Sequence, residues 1–269
     1  MAISHYSVTT NVIQFAAFNR VVDPAIPPEK RRFRPGDVSI GVLPFYHIYA
    51  MVMLLHTTTF VGVSSRFPSQ DRTLCTDLCS QHTLVVVPKF DFNGFLSSLN
   101  KYSITHIWIV TPVAVLISKH PASTRAKYKN IRYCMVGAAP VSAELTSQLN
   151  AMLPDDAVVG QGYGMTESST VITVQPLEHL KGISGSAGQL ITNCIARVVK
   201  PDGSLGGIGE EGELVVKSPA TPFNYYLNNE QANRETFADG WLRTGDEVYF
   251  DKVRCGSAVK ELRLVADET

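Results

Sequence analysis

The sequence predicts an α/β fold: a mostly parallel sheet flanked by helices, followed by a small antiparallel, barrel-like β subdomain. Three observations predict it. Short, nearly continuous apolar runs recur at Val38–Pro44, Leu84–Val87, Thr105–Val110, Ile131–Val136 and Ala157–Gln161, as in strands buried on both faces. The segments between several of them repeat apolar residues at helical spacing. After about residue 183 the pattern changes to short strands punctuated by glycine turns.

Each element has its own signal. Ser4 is a suitable N-cap for a helix over residues 5–21, whose Val8, Val12, Phe15, Ala16 and Asn19 mark one face. Asp23–Pro35 ends that helix, and its Lys30, Arg31, Arg32 and Arg34 read as a solvated loop ahead of an anion site. Val38–Pro44 follows as a strand. Residues 61–82 are polar and without a period, which reads as an irregular insertion of poor order. Leu84–Val87 leads through Pro88 into a helix near Asp91–Lys101, with Phe92, Phe95, Leu96 and Leu99 as its apolar stripe. Pro112 stands where the next helix begins, a position at which its missing N–H costs nothing. A helix over Ser142–Met152 separates the last two parallel strands. Ile195–Val199, the Pro201-Asp202-Gly203 turn and Glu213–Lys217 then read as antiparallel structure. The division expected is residues 1–182 as the α/β part, 183–250 as the β subdomain and 251–269 as a divergent tail.

Composition narrows the function classes. The 269 residues are 45% hydrophobic, enough for a sizeable core, and 24 Lys+Arg balance 24 Asp+Glu. A formal charge of zero supplies no global field for nucleic acid or an anionic membrane. Five cysteines, Cys75, Cys79, Cys134, Cys194 and Cys255, form neither a disulfide framework nor a complete zinc set. The apolar runs are too short to span a bilayer, and neither a secretory signal nor a C-terminal peroxisomal address is seen. The default is an intracellular, cytoplasmic protein.

In an open parallel sheet, ligands bind beyond the carboxyl ends of the strands. Three phrases stand there. His47 follows the first strand, in Pro44-Phe45-Tyr46-His47; Tyr49 and Met53, one helical turn apart, are pocket wall or plain core. Gly137-Ala138-Ala139-Pro140 follows the fourth, and its small residues leave room for a flat base or simply make a tight turn. Gly160-Gln161-Gly162-Tyr163-Gly164-Met165-Thr166-Glu167-Ser168-Ser169 follows the fifth. There glycines admit close backbone approach, Thr166 offers a hydroxyl to a phosphate, and Glu167 offers a hard oxygen to Mg²⁺. A fourth phrase, Asp239-Gly240-Trp241-Leu242-Arg243-Thr244-Gly245-Asp246, brings a carboxylate able to accept from ribose hydroxyls.

These phrases together resemble the nucleotide site of the AMP-forming acyl- and aryl-CoA ligases, the adenylate-forming superfamily that includes 4-coumarate–CoA ligases. The resemblance covers residues 1 to about 60 and 83 to about 250. It implies part of an adenylate-forming N-terminal domain, with ATP and coenzyme A as cosubstrates, Mg²⁺ as the metal and a small aryl or acyl carboxylic acid as substrate. By resemblance, Gly137 to Pro140 wall the adenine, Gln161 to Gly164 continue that wall with Tyr163 packing on the base, Thr166 meets the α-phosphate, Glu167 holds magnesium, Asp246 binds the ribose and His47 stands at the acyl pocket. The implied reaction joins the acid to AMP with release of pyrophosphate, after which the coenzyme A thiol displaces AMP. The family's Ser/Thr/Gly-rich phosphate loop ending in Pro-Lys-Gly does not occur in the chain, and after Asp251 its Asp-Arg hinge phrase is missing. The expectation is therefore an internal fragment, lacking that loop and the lid domain, with weak or negligible turnover. Two alternatives stand beside it: a non-catalytic remnant that partners a full ligase, and a fragment of a peptide-synthetase-type adenylation domain.

Overall fold

The computed structural model describes residues 1–62, 82–177, 181, 183, 185–252 and 260–264. Most of the predicted 61–82 insertion, with Cys75 and Cys79, lies outside them, as do Cys255 and most of the tail.

Among the described residues one twelve-stranded sheet organises the fold. Its first part is parallel, with β1 (Val38–Gly41), β2 (Thr83–Val86), β3 (His106–Val110), β4 (Tyr133–Gly137) and β5 (Val158–Met165) in the spatial order β2-β1-β3-β4-β5. From β5 onward the neighbours pair antiparallel through β6 (Thr170–Val174), β7 (Ser186–Leu190), β8 (Ile195–Val199), β9 (Gly212–Lys217), β11 (Trp241–Lys252) and β12 (Lys260–Leu264). Their spatial order is β6-β7-β12-β11-β9-β8, and β10 (Phe237–Ala238) forms a hairpin with β11. Antiparallel pairing thus begins at Thr170, ahead of the changeover the sequence suggests. β2 is the sheet edge, which is why Val86 is exposed although its run reads as a buried strand.

Side-chain alternation on the parallel strands builds two cores, one on each face. On β4, Cys134 and Val136 enter the cluster covered by α3 (Phe92–Lys101), α4 (Thr111–Lys119) and α5 (Ala143–Met152). Tyr133 and Met135 enter the opposite cluster, under α1 (His5–Phe18) and a helix that runs as a π-helix over Ala50–His56 and as α2 over Thr57–Phe60. A third core, with Ile172, Val198, Leu214, Val248 and Phe250, fills the antiparallel part. The predicted caps are present: the side chains of Ser4, Asp91 and Ser142 accept from the N–H of Ser7, Gly94 and Leu145. Pro112 lies in the first turn of α4.

The basic loop is less solvated than its composition suggests. Arg32 is buried and donates to Asn19 Oδ1 at 2.8 Å, to the Gln175 carbonyl at 3.1 Å and to the Pro176 carbonyl at 2.9 Å. Burial pushes the Cys134 thiol up to about 12 and the Cys194 thiol up to about 11, and both are free thiols. Among the described residues no helix is long and apolar enough to cross a membrane.

Candidate nucleotide and acyl site

Beyond the carboxyl ends of β4 and β5 lies a cavity of about 250 Å³. It gathers residues from separate phrases: His47 and Tyr49, Gly137 and Ala138, and Gly162, Tyr163, Gly164, Thr166 and Glu167. Ile48, Met135 and Val171 give it an apolar wall.

Local chemistry explains the turn that carries Thr166 and Glu167. β5 ends in a single 3₁₀ turn, Thr166–Ser168, after which the chain reverses through Ser169 at φ 61° and Thr170 at φ 116°. Positive φ is costly for a β-branched residue, so the surroundings must hold it. They do: Ser168 Oγ donates to the Thr170 carbonyl at 3.1 Å, Thr170 Oγ1 to the Ile48 carbonyl at 3.2 Å and Ser169 Oγ to the Ala220 carbonyl at 3.0 Å. Asn224 Nδ2 adds bonds of 2.9 Å to the Glu167 carbonyl and to Ser169 Oγ. Gly164 is obligatory here, because a Cβ on it would stand 1.5 Å from the Thr170 carbonyl oxygen.

Asp246 is not part of the cavity lining but is brought beside it, to Tyr163, through irregular backbone. Asp239 and Gly240, at φ 52° and 75°, are the two-residue turn of the β10–β11 hairpin, the pattern that favours Asp-Gly. Further along β11 the register to β9 shifts between Arg243 and Glu247, and Gly245 at φ 75° sits in that bulge. The bulge carries Asp246 to Tyr163, whose hydroxyl donates to Asp246 Oδ2 at 2.5 Å. A second phenol does the same for the other carboxylate: Tyr226 donates to Glu167 Oε1 at 2.6 Å. Burial, then the bond to Asp246, holds the Tyr163 hydroxyl far above the usual phenol range, with the Glu167 charge adding to the shift. Burial and then Glu167 raise Tyr226 as well. Both phenols stay protonated donors at neutral pH, so each carboxylate is oriented by a fixed partner.

The remaining sequence candidates divide. His47 is exposed at the mouth, where its Nδ1 accepts from the Tyr49 N–H at 3.2 Å. Tyr49 is buried, lines the cavity and donates to the Met135 carbonyl at 3.0 Å. Met53 is not wall: it lies one turn deeper in the π-helix, fully buried in the core beneath α1. Ala139 and Pro140 are exposed and do not line the cavity, since the chain turns outward after Ala138 at φ 70°. Gln161 also stays out of it, its amide bonded to Val141 N–H and C=O, which steadies the turn after β4. Sequence reasoning missed Tyr226 and Asn224; their only signal is a polar and aromatic run, Phe223–Tyr226, shortly after β9. Among the described residues no group of three or more His, Cys, Asp or Glu is arranged so that it could hold a metal ion.

Comparison with known proteins shows the family and the fold. Residues 1–227 match the family described as AMP-binding enzyme. The chain is 32% identical over 253 residues to probable 4-coumarate–CoA ligase 1 of Dictyostelium discoideum, covering 94% of this chain and 40% of that protein. It is 32% identical over 235 residues to 4-coumarate–CoA ligase 2 of Oryza sativa subsp. japonica, covering 84% and 38%. The chain thus spans about two fifths of the length of these curated relatives. Among solved structures, O-succinylbenzoate coenzyme A synthetase from Bacillus subtilis in complex with AMP superposes with a TM-score of 0.70 at 21% identity, covering 99% of this chain and 57% of that one. ATP-bound MatB from Rhodopseudomonas palustris gives 0.74 at 22% identity, covering 97% and 44%. On the match over residues 1–227, the chain belongs to the AMP-binding enzyme family.

Proposed function

We propose that this chain supplies the adenylate- and acyl-binding site of an AMP-forming ligase that activates a small aryl or acyl carboxylic acid for transfer to coenzyme A. The observation that supports the reading is the hydrogen bond from Tyr163, which lines the cavity, to Asp246, which stands beside it and comes from a phrase 83 residues away. In this reading the Tyr163 ring and Gly137-Ala138 flank the base, and Asp246 accepts from the ribose. Thr166 donates to the α-phosphate, and the apolar wall of Tyr49, Met135 and Val171 takes the acyl group, with His47 at its mouth. The chemistry of Glu167 fits Mg²⁺, which needs only one or two carboxylates and keeps waters: Oε1 is held by Tyr226, leaving Oε2 for the cation. A bound Mg²⁺ would neutralise charge on the phosphate oxygens.

We further propose that these 269 residues alone bind nucleotide weakly and turn over negligibly. They contain no Pro-Lys-Gly phosphate loop and no Asp-Arg phrase after Asp251, and losing one such charge stabiliser costs on the order of a hundredfold in rate. Two measurements test the two parts. AMP binding followed by NMR at millimolar ligand is expected to be saturable and to be lost in Asp246→Ala; unsaturable binding, or binding indifferent to that change, sinks the site. ATP–pyrophosphate exchange with aryl and acyl acids present is expected at background, and robust exchange sinks the low-turnover reading while leaving the site intact.

A further inference from the structure

A second cavity, of about 380 Å³, opens on the side of the sheet where the parallel strands begin. Six cationic side chains line it: Arg20, Lys30, Arg31, Arg32, Arg34 and Arg132. Asp156 is the single acidic residue in that lining. Arg34, which precedes β1, and Arg132, which precedes β4, place it at the amino-terminal ends of these strands, away from the cavity beyond their carboxyl ends.

The way these cations are held distinguishes the cavity from a solvated basic loop. Arg31 donates to the carbonyls of Ile26 and Asp23, both at 2.9 Å, and Arg132 Nη2 to those of Arg31 and Arg32, both at 3.3 Å. Carbonyl partners orient a guanidinium without cancelling its charge. Two carboxylates do compensate in part, Asp23 at Arg20 and the buried Asp37 at Arg132. Arg34 has no such relief: among the described residues its side chain makes neither a hydrogen bond nor an ion pair, and its Nε is buried without a partner. The Nε of Arg132 is buried and unpartnered too. Like charges converging on one concave, partly desolvated surface are unfavourable unless something negative joins them. Burial first, opposed by Asp37 but reinforced by the Arg34 charge, holds Arg132 below its ordinary value, which places the two guanidinium groups within each other's field.

We propose that this cavity binds a polyanion of the phosphate class, free pyrophosphate or the phosphate end of a nucleotide, at a site separate from the adenylate cavity. Its volume is more than ample for two linked phosphoryl groups, in reach of several forked donors. The test is calorimetric titration of the full chain in phosphate-free, low-salt buffer with pyrophosphate and, separately, AMP. Pyrophosphate is expected to bind, to weaken as NaCl is raised, and to lose about tenfold or more in affinity in Arg34→Met. Thr166→Ala, in the other cavity, is expected to leave it unchanged. Lys30→Gln, at an exposed position, is expected to weaken binding a few-fold and serves if Arg34→Met does not fold. AMP that competes with pyrophosphate and is equally lost in Arg34→Met identifies a nucleotide's phosphate as the ligand; pyrophosphate alone identifies the free anion. No binding of either, binding indifferent to both Arg34→Met and Lys30→Gln, or loss on Thr166→Ala overturns the proposal.

Discussion

Single residues here act through partners remote in sequence. Tyr163 is the clearest case, since one side chain lines the cavity beyond β5 and fixes Asp246. Tyr163→Phe keeps the ring and removes the donor, so Asp246 turns to water. We expect AMP affinity to fall about tenfold, the scale of a lost hydrogen bond to a charged group, with little change in stability because Asp246 is exposed. AMP titrations and thermal melts of the variant check both halves of that expectation. A different residue-level effect belongs to the buried pair His82 and His106. Burial is the main cause that lowers both to about 3, against an ordinary value of 6.5. His106 Nε2 donates to the Arg32 carbonyl and its Nδ1 accepts from Thr105, which is the neutral form fully bonded. Because the folded values lie below the unfolded ones, the unfolded chain takes up more protons between pH 6.5 and 3. Stability is therefore complete above about pH 6.5 and is lost progressively as pH falls toward 3. Urea midpoints measured from pH 8 to 4 should fall below pH 6.5, and the slope should be shallower in His82→Gln.

At the scale of elements, β5 shows what a strand must give up to serve a site. Each of its glycines at 160, 162 and 164 admits a neighbour where a Cβ would stand. The neighbours differ in their freedom to move. At Gly162 the nearest atom is the flexible Cε of Met135, whereas at Gly164 it is the Thr170 carbonyl of the strained turn. Gly164→Ala should cost roughly 2–4 kcal/mol and Gly162→Ala about half as much or less, as equilibrium unfolding will show. This contrast also marks where the sequence was readable. Apolar runs and caps gave β1, β3, β4, α3, α4 and α5 because burial on both faces leaves its pattern in the residues themselves. The π-helix at Ala50–His56 carries no local signature that distinguishes it from an α-helix, whereas β6, the β-branched run Thr170–Val174, did carry a strand signal. Glu167, Thr166 and Asp246 were legible as spelled phrases, whereas Tyr226 was not, since no spacing rule links residue 226 to residue 167.

For the whole molecule, the question is how a parallel half and an antiparallel half hold together when they meet along the single seam of β5 and β6. α1 closes that seam. β7 pairs with β6 only at Thr173 and Val174, so the start of β6 lacks a strand on that side. Asn11 of α1 takes its place: its Nδ2 donates to the Val171 carbonyl at 2.9 Å and its Oδ1 accepts from the Val171 N–H at 3.1 Å. Three residues on, Gln14 donates to the Thr192 carbonyl at 2.8 Å and to Ser218 at 3.2 Å, in the antiparallel half. The rest of the α1 face, Val8, Val12 and Phe15, packs in the core of the parallel half. Asn11→Leu leaves both backbone groups of Val171 buried and unpaired, a loss of about 2–4 kcal/mol. The chain's two tryptophans report the halves separately: Trp108 is buried in the parallel core, and Trp241 lies under Arg197 on β11. In single-tryptophan versions of the chain, Asn11→Leu should lower the urea midpoint seen by Trp108 and by Trp241 to the same extent. A shift confined to Trp241 would show that the antiparallel half unfolds on its own and that α1 does not couple the two.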